Sequence, residues 1–360
     1  MSLSGNRGEW SEVYALFKLI SDQELYLGDE HLNIIKNASF PIEKVLRTEQ
    51  YEEISFTILG DNLSIEYQDD TINISKETFQ EKAEFLLSQI KNKENKGSFS
   101  CSDIENFLSI IYCTSIKEQS SSTADLSVVI NDPNNIEEPN PRLDYNVKSK
   151  LSSPSTLFNA NKDGTNLIYE ITEILLTDAD IEEINQLKTP IQRIQEIDEK
   201  GGKIVFRKFA SEIFESNLIY IDTKLPEIIG TLVYHHYVNK MTIVSEITER
   251  ISKDNPLGLK QEDIYKFYEE KIKNFLLQAS FGMTSQKVWN GNYARERGIL
   301  VVTKQGNLVS YHLYTKNNYK GYLFNYTRLE RPSSSRHNYG FIYKEGGKYF
   351  IKLNLQVRFR

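Results

Sequence analysis

Three polar residues in the middle of the chain have types and a spacing suited to metal-assisted hydrolysis. Asp125 opens the β-branched stretch Asp-Leu-Ser-Val-Val-Ile, and Asn146 and Lys148 belong to a second short stretch, Tyr145–Lys148. Because side chains alternate along a strand, Asn146 and Lys148 face the same side. The pattern predicts two neighbouring strands on which Asp125 and Lys148 converge.

The chemistry that such a group supports is hydrolysis of a phosphodiester. Carboxylate oxygens are ligands for Mg²⁺, which offsets charge on the phosphate and retains several of its waters. A nearby lysine orients the attacking water and stabilises developing negative charge. The spacing alone is common, however. Asp125 also fits a strand cap, and Lys148 also fits a solvated lysine on an edge strand.

The arrangement resembles the PD-(D/E)XK nuclease core, with Asn146 in the position usually held by an acid. An amide oxygen can ligate Mg²⁺ but brings no charge, so a further carboxylate is expected. The resemblance implies a glutamate from the first helix, and Glu12 and Glu9 are the candidates. Asp144 is a rival that shares the face of Asn146 at a greater distance from Lys148.

Hydrophobic periodicity predicts the elements that carry these residues. A helix over Glu9–Ile20 is followed by a hairpin around Gly60-Asp61-Asn62 and by two further helices. After the two candidate catalytic strands, the pattern predicts more helices, one strand and a C-terminal series of strands. The predicted ranges are Ile54–Leu59, Leu63–Gln68, Glu77–Lys91, Ser102–Ile111, Thr165–Leu176 (helix), Asp180–Leu187, Lys203–Phe206 (strand), 207–280 (mainly helical, broken near Asp254–Gly258), Ile299–Thr303, Val309–Tyr314, Gly340–Tyr343 and Tyr349–Leu353.

These elements predict an α+β fold in three segments. Residues 1–206 form a nuclease-like α/β core, 207–280 a mainly helical region, and 281–360 a β-rich lobe. The net charge of −7 is unevenly distributed, because residues 281–360 hold 14 Lys and Arg against 3 Asp and Glu. A basic lobe on an acidic body is typical of a surface that binds a polyanion.

Composition excludes several classes of protein. No apolar run approaches the roughly 18 residues of a membrane span, and the first residues lack a secretory signal, so a cytoplasmic protein is expected. Cys101 and Cys113 are predicted to be free thiols. No Gly-rich phosphate loop and no Gly-x-Ser-x-Gly elbow is present. The adjacent His235 and His236 diverge on a helix and do not form one metal-binding face.

Several long blocks of sequence, spread over most of the chain, resemble the HpaII-type restriction endonucleases. The blocks are residues 5–12 (GNRGEWSE), 147–149 (VKS), 153–160 (SPSTLFNA), 165–169 (TNLIY), 282–284 (GMT), 289–291 (WNG), 311–312 (YH), 328–337 (RLERPSSSRH) and 350–355 (FIKLNL). Residues 293–298 depart from the family, which is expected to have a glycine-rich turn there. The resemblance implies a type II enzyme that cleaves double-stranded DNA, with CCGG the expected site.

The resemblance also implies partners and contact residues. A palindromic site is compatible with a homodimer or with sequential nicking, and a restriction system is expected to include a cognate DNA methyltransferase. A G·C-rich site is best read by Arg or Lys in the major groove. The candidate DNA contacts are Arg328, Arg331, Arg336, His337, Ser334, Ser335, Lys287 and Asn290. The alternatives are a catalytically degenerate DNA-binding protein, which Asn146 favours, and an RNA-processing nuclease.

Overall fold

The computed structural model describes residues 3–93, 97–116, 124–260, 262–291 and 297–360. The chain forms two compact units, Met1–Pro154 with Tyr293–Tyr319 and Ser155–Asn292 with Lys320–Arg360. The three predicted segments do not coincide with these units, because the chain returns to the first unit after passing through the second. The basic segment 281–360 is therefore divided between them.

The chain starts in the first unit, and its elements up to residue 149 are helices and strands of that unit. In chain order they are α1 (Arg7–Asp22), β1 (Glu24–Gly28), β2 (Ile34–Glu49), β3 (Glu52–Leu59), β4 (Asn62–Tyr67), β5 (Asp70–Ser75), α2 (Lys76–Asn92), α3 (Ser102–Ile110), β6 (Leu126–Ile130) and β7 (Arg142–Ser149).

Of the remaining elements, β11, β12 and a short 3₁₀ turn (Leu313–Thr315) belong to the first unit, α10 begins in the first unit and ends in the second, and the others belong to the second unit. They are β8 (Thr156–Phe158), β9 (Asn166–Thr172), α4 (Asp178–Gln186), α5 (Pro190–Glu199), β10 (Lys203–Phe209), α6 (Glu212–Ile221), α7 (Leu225–Val238), α8 (Val244–Asp254), α9 (Ile264–Ser280), β11 (Arg297–Val302), β12 (Leu308–Tyr311), α10 (Lys316–Asn325), β13 (Thr327–Leu329), α11 (Ser334–His337), β14 (Ile342–Glu345), β15 (Lys348–Asn354) and β16 (Val357–Phe359).

The first unit is built on a mixed sheet in which, among the described residues, nine strands follow the order β1-β12-β11-β7-β6-β2-β3-β4-β5. Strand β6 lies between β2 and β7 and pairs antiparallel with each of them, whereas β11 runs parallel to β7. The helix α1 packs on this sheet, and its apolar stripe, including Trp10, Val13 and Phe17, is fully buried. The helix begins at a capping box in which the Asn6 side chain accepts from the Glu9 N–H.

The described residues of the second unit form two smaller sheets, β10-β9-β15-β14 and β13-β16-β8, with the helices α4 to α9. The helical prediction for Thr165–Leu176 is wrong, because residues 166–172 form β9 at the centre of the four-stranded sheet. Leu167, Tyr169 and Ile171 are buried on one face of β9, while Ile168 and Thr172 on the other face are half-buried. A short apolar run fits both periodicities, and pairing with two neighbouring strands decides the outcome.

Most of the other predicted elements are confirmed within a few residues. The predicted strand over Val309–Tyr314 is shorter than expected and gives way to the 3₁₀ turn. The sequence patterns missed the long strand β2, the helices α5 and α10, and the shorter elements β1, β5, β8, β13, α11 and β16. Cys101 and Cys113 are buried free thiols. None of the described helices is long and apolar enough to cross a membrane.

Candidate active site

Asp125 lies immediately before β6, next to the middle of β7. Its backbone N–H donates to the carbonyl of Tyr145 over 2.9 Å, and its side-chain Oδ2 accepts from the backbone N–H of Val147 over 2.7 Å. Leu126 pairs with Tyr145 in the antiparallel register, which continues to place Asp125 beside Asn146. The carboxylate is therefore fixed against the segment that carries Asn146 and Lys148.

Asn146 and Lys148 point to the opposite face of β7 from its buried residues. Tyr145 and Val147 face the core, whereas Asn146 and Lys148 are partly exposed. The strand is held from its other side by β11, in which Ile299 pairs with Asn146 and Val301 with Lys148. The structure thus confirms the alternation on which the predicted amide-x-lysine pair depends.

Glu12 on α1 lies within the electrostatic reach of both strands. Burial, and next the charge of Asp125, raise the pKa of Glu12 to about 8; Arg47 and Lys148 oppose the rise, and Glu9 adds to it. A carboxyl that is desolvated beside another carboxylate is typical of functional sites. The structure therefore brings Glu12, Asp125 and Lys148 into one charged cluster.

Arg47 is a member of this cluster that the sequence patterns did not indicate. It lies near the end of β2 and is 3% exposed. Its Nη2 donates to the carbonyl of Ser115 over 2.6 Å, and its Nε lies 3.2 Å from Oε1 of the buried Glu49. Glu49 also accepts from the hydroxyls of Thr114 and Ser115. The sequence patterns predict no strand at β2, so they give no reason to expect Arg47 beside the strands of Asp125 and Lys148.

The two other candidate carboxylates, Glu9 and Asp144, already accept hydrogen bonds within the protein. Glu9 Oε2 accepts from the backbone N–H of Asn6 over 2.8 Å and so completes the capping box of α1. Asp144 is buried, and its Oδ1 accepts from the hydroxyl of Ser127 over 2.6 Å and lies 3.4 Å from Nε of Arg142. These contacts favour Glu12 over Glu9 and Asp144 as the partner of Asp125.

The donor set fits a hard divalent cation with few protein ligands. Among the described residues, no three His, Cys, Asp or Glu side chains gather as a metal-binding group. The cluster instead offers two carboxylates and one amide, from Asp125, Glu12 and Asn146. Mg²⁺ is commonly held by one or two carboxylates, with waters and substrate phosphate oxygens completing its shell. The negative charges of Glu12 and Asp125 repel each other, and a bound cation would reduce this repulsion.

The candidate recognition loop lies in the second unit, around the short helix α11. The Ser333 hydroxyl accepts from the backbone N–H of Arg336 over 3.4 Å, and the buried Asn166 donates to the carbonyl of His337 over 3.0 Å. Ser335 and Arg336 are exposed, whereas Ser334 and His337 are half-buried. Burial, and next the charge of Arg336, lower the pKa of His337. The loop therefore presents Arg336 on a supported turn.

Two other predicted DNA contacts, Arg328 and Arg331, are engaged within the protein. Arg328 Nη2 lies 3.4 Å from Oε2 of Glu330, which also pairs with Arg358 over 3.2 Å. Arg331 donates to the carbonyl of His236 over 3.1 Å, and its guanidinium lies 5.8 Å from the Tyr237 ring centroid. These contacts give both arginines a role in the fold.

The remaining predicted DNA contacts, Lys287 and Asn290, lie in an exposed loop after α9. The buried Asn217 organises this loop: its amide donates to the carbonyls of Thr284 and Lys287, and its Oδ1 accepts from the N–H of Trp289. The segment 293–298, which departs from the family pattern, lies outside the described residues as far as residue 296, and the Arg297 side chain is not described either.

A carboxylate pair with an amide and a lysine on paired strands is the kind of site used by hydrolases that act with a divalent cation. Comparison with known proteins defines the class. The family of HpaII restriction endonucleases matches residues 6–359. The type II restriction enzyme HpaII of Haemophilus parainfluenzae is 41% identical over 358 residues, which cover 99% of this chain and 98% of that protein. No solved structure matches the chain.

The chain belongs to the HpaII restriction endonuclease family. It is a site-specific deoxyribonuclease of the type II restriction class, and its substrate is DNA. Type II restriction enzymes generally use divalent metal ions.

Proposed function

We propose that this enzyme hydrolyses double-stranded DNA at CCGG with Mg²⁺, and that Asp125, Glu12, Asn146 and Lys148 form its active site. The observation that carries the proposal is the hydrogen bond from the Val147 N–H to the Asp125 carboxylate. It holds Asp125, which precedes β6, against the strand that carries Asn146 and Lys148. The negative charge of Asp125 also interacts with Glu12 there and raises its pKa.

The topology of the first unit supports a PD-(D/E)XK core. A helix, α1, precedes three antiparallel neighbours, β2, β6 and β7, and a parallel strand, β11, follows beside β7. Residues 155–292 of the second unit lie in the chain between β7 and β11, and its residues 320–360 follow β12. We assign the chemistry to the first unit, which carries all four active-site residues. The second unit carries the candidate base-reading residues.

The proposed mechanism assigns a role to each side chain. Asp125, Glu12 and Asn146 would hold the divalent cation, and Glu9 is a weaker candidate because it caps α1. When bound, the cation offsets charge on the scissile phosphate and activates water. Lys148 orients the attacking water and stabilises the developing negative charge. The products carry a 5′-phosphate and a 3′-hydroxyl.

The recognition of CCGG is assigned to the second unit. Arg336 is exposed at the tip of its loop and is able to donate to guanine O6 and N7, while Ser334 and Ser335 suit phosphate contacts. Lys287 and Asn290 add a second contact loop. We further propose a cytoplasmic location, a cognate methyltransferase in the same system, and a homodimer or sequential nicking on the palindromic site.

The test is digestion of unmethylated plasmid DNA by the purified protein with Mg²⁺ and with EDTA. We expect discrete fragments that require Mg²⁺ and map to CCGG. Fragments that map to another sequence would discard the assigned specificity and keep the nuclease.

The competing function is a DNA-binding protein with a degenerate catalytic centre, favoured by the amide at position 146. It predicts a salt-sensitive gel shift without cleavage at any Mg²⁺ or Mn²⁺ concentration. Cleavage of duplex DNA but not of RNA separates the proposed function from an RNA-processing nuclease.

A further inference from the structure

The four-stranded sheet of the second unit has one covered and one open face. The inner face, including Tyr169, Ile171 and Ile351, is buried. The side chains at the alternate positions of the strands form the open face. Among them, the side chains of Lys203 and Lys348 are 66% and 62% exposed. No part of the proposed active site or recognition loop accounts for this face.

Two rows of cations run along the open face. On β10, Lys203 pairs with Thr172 and Lys208 with Ile168, and Arg207 lies at the bulge between Phe206 and Lys208. On β15, the register places Lys348 beside Thr172 and Lys352 beside Ile168. The strand β9 lies between the rows. The face therefore carries five cations: Lys203, Arg207, Lys208, Lys348 and Lys352.

Ion pairs hold the ends of several of these cations in place. Glu170 at the centre of the face lies 2.8 Å from Nε of Arg207 and 3.1 Å from Nζ of Lys348, and Lys203 lies 2.7 Å from Glu173. A single glutamate shared by two cations leaves positive charge in excess. The side chains of Arg207 and Lys348 are 46% and 62% exposed, so their charges remain accessible to a polyanion.

Aromatic side chains lie within and beside the second row of cations, because Phe350 is on β15 between Lys348 and Lys352 and Tyr343 is on the neighbouring strand β14. Phe350 stacks on Tyr343 with ring centroids 5.6 Å apart, and Lys352 Nζ lies 5.6 Å from the Tyr343 ring centroid. The contact with the Tyr343 ring restrains the side chain of Lys352.

The spacing of the rows matches the geometry of a nucleic-acid duplex. Strands β10 and β15 are separated by β9, so their rows lie about 10 Å apart, and Lys348 and Lys352 are about 13 Å apart along β15. The two phosphate rows of B-form DNA flank a major groove about 12 Å wide. Two parallel rows of cations at this separation are therefore complementary to two phosphate rows.

We propose that the open face of the sheet β10-β9-β15-β14 binds the phosphate backbone of duplex DNA and supplies affinity that does not depend on sequence. The inference rests on the proposed function, because it takes the enzyme's substrate to be duplex DNA. It adds a backbone-binding surface to the base-reading loop around Arg336. Its chemistry predicts contacts to phosphates and none to base edges.

The test compares two variants of equal charge change in the full-length protein. The first carries Lys203→Gln, Lys208→Gln and Lys348→Gln, and the matched control carries Lys224→Gln, Lys253→Gln and Lys266→Gln on the helices. Fluorescence anisotropy with Ca²⁺ in place of Mg²⁺ measures binding to 30-base-pair duplexes with and without CCGG, over a series of KCl concentrations. Circular dichroism checks that both variants are folded.

The first variant, with its three substitutions on the sheet, is called the sheet variant. We expect it to lose about tenfold or more in affinity for both duplexes, while the control binds like the wild type. The slope of log K against log [KCl] should fall by about 0.9 for each phosphate contact removed. A variant with Lys203→Arg, Lys208→Arg and Lys348→Arg should retain the affinity.

Wild-type affinity and salt slope in the sheet variant would overturn the inference. So would a loss confined to the CCGG duplex, since that would assign the face to base readout. These outcomes are distinct from failure of the proposed function, in which the wild type itself binds DNA and does not cut it.

Discussion

The N–H of Val147 donates to the carboxylate of Asp125 over 2.7 Å, although the two residues are 22 positions apart in the chain. Val147 is the residue between Asn146 and Lys148, so this bond sets the position of the carboxylate relative to both. Side chains held by backbone hydrogen bonds are pre-organised for charge stabilisation. The arrangement leads to predictions for each member of the cluster.

Replacing Lys148 by alanine should reduce cleavage and spare binding. The side chain is assigned to orient water and stabilise developing charge, so its loss should lower kcat by about 10² or more. Single-turnover cleavage measures the rate, and anisotropy with Ca²⁺ measures DNA affinity. Lys36→Ala, an exposed lysine on β2, is the matched control. Normal cleavage by Lys148→Ala would move the active site elsewhere.

Replacing Glu12 by glutamine should raise the stability of the fold at pH 8 and lower the rate of DNA cleavage. Burial and the charge of Asp125 raise the pKa of Glu12 to about 8, above its ordinary value of 4.5. The unfolded chain therefore releases the proton more readily, and the fold loses stability as the pH rises from 4.5 towards 8. Glutamine removes this loss, so the variant should be more stable than the wild type at pH 8 in EDTA, by at least about 1 kcal/mol.

The same Glu12→Gln variant should cleave much more slowly at every Mg²⁺ concentration, since a charged ligand is replaced by a neutral one. Urea denaturation in EDTA at pH 6 and pH 8 measures the first effect, and Mg²⁺ titration of cleavage measures the second. A variant less stable than the wild type at pH 8 would contradict the raised pKa of Glu12 that burial, and next the charge of Asp125, produce.

Asn146 is tested best by a pair of substitutions. Asn146→Asp restores the acid usual in this type of core, and it should retain cleavage with a lower Mg²⁺ requirement because a charge is added to the ligand set. Asn146→Ala removes the oxygen ligand and should require more Mg²⁺. If both variants show the wild-type Mg²⁺ dependence, the amide is not a ligand.

The extent to which sequence predicted this structure depends on where each signal lies. The stripe of α1 and the hairpin β3–β4 are local patterns, and both are confirmed. The alternation of β7 is equally local, and it places Asn146 and Lys148 on one face. These elements could be predicted because the information lies within a few adjacent residues, whereas Glu12 was expected as a partner of Asp125 only from the resemblance to the nuclease core.

The features that were missed depend on contacts between distant segments. The strand β2 mixes polar and apolar residues without regular alternation, and pairing with β6 and β3 defines it. Arg47 therefore had no predicted element, and its position beside Glu12 arises only from the sheet order. The error at β9 has the same origin, since its apolar run fits a helix until β10 and β15 pair with it.

Replacing Arg336 by alanine should relax the choice of sequence. The side chain is exposed, so its removal should leave the fold intact. If it makes a bidentate contact to guanine, discrimination at one base pair should fall by about 1–3 kcal/mol. Cleavage of a set of oligonucleotides with each position of CCGG substituted measures this, with Lys253→Ala as the control. An unchanged site preference would remove Arg336 from the base-reading set.

His236 should make the second unit sensitive to mild acid. Burial, and to a smaller degree the charge of Arg331, lower the pKa of His236 to about 4, although its Nδ1 bonds to the carbonyl of Met241. The unfolded chain, with a pKa near 6.5, binds the proton more readily than the folded one. This contribution to stability is therefore complete above pH 6.5 and is lost as the pH falls towards 4.

Between pH 7.5 and pH 5.5 the loss from His236 should be about 1 kcal/mol. Urea denaturation at the two pH values measures it in the wild type, in His236→Gln and in the control His31→Gln, whose side chain is exposed. The His236→Gln variant should lose about 1 kcal/mol less than the wild type over this range, whatever its absolute stability. The control should follow the wild type. Equal losses in all three proteins would show that His236 does not remain neutral in the folded state.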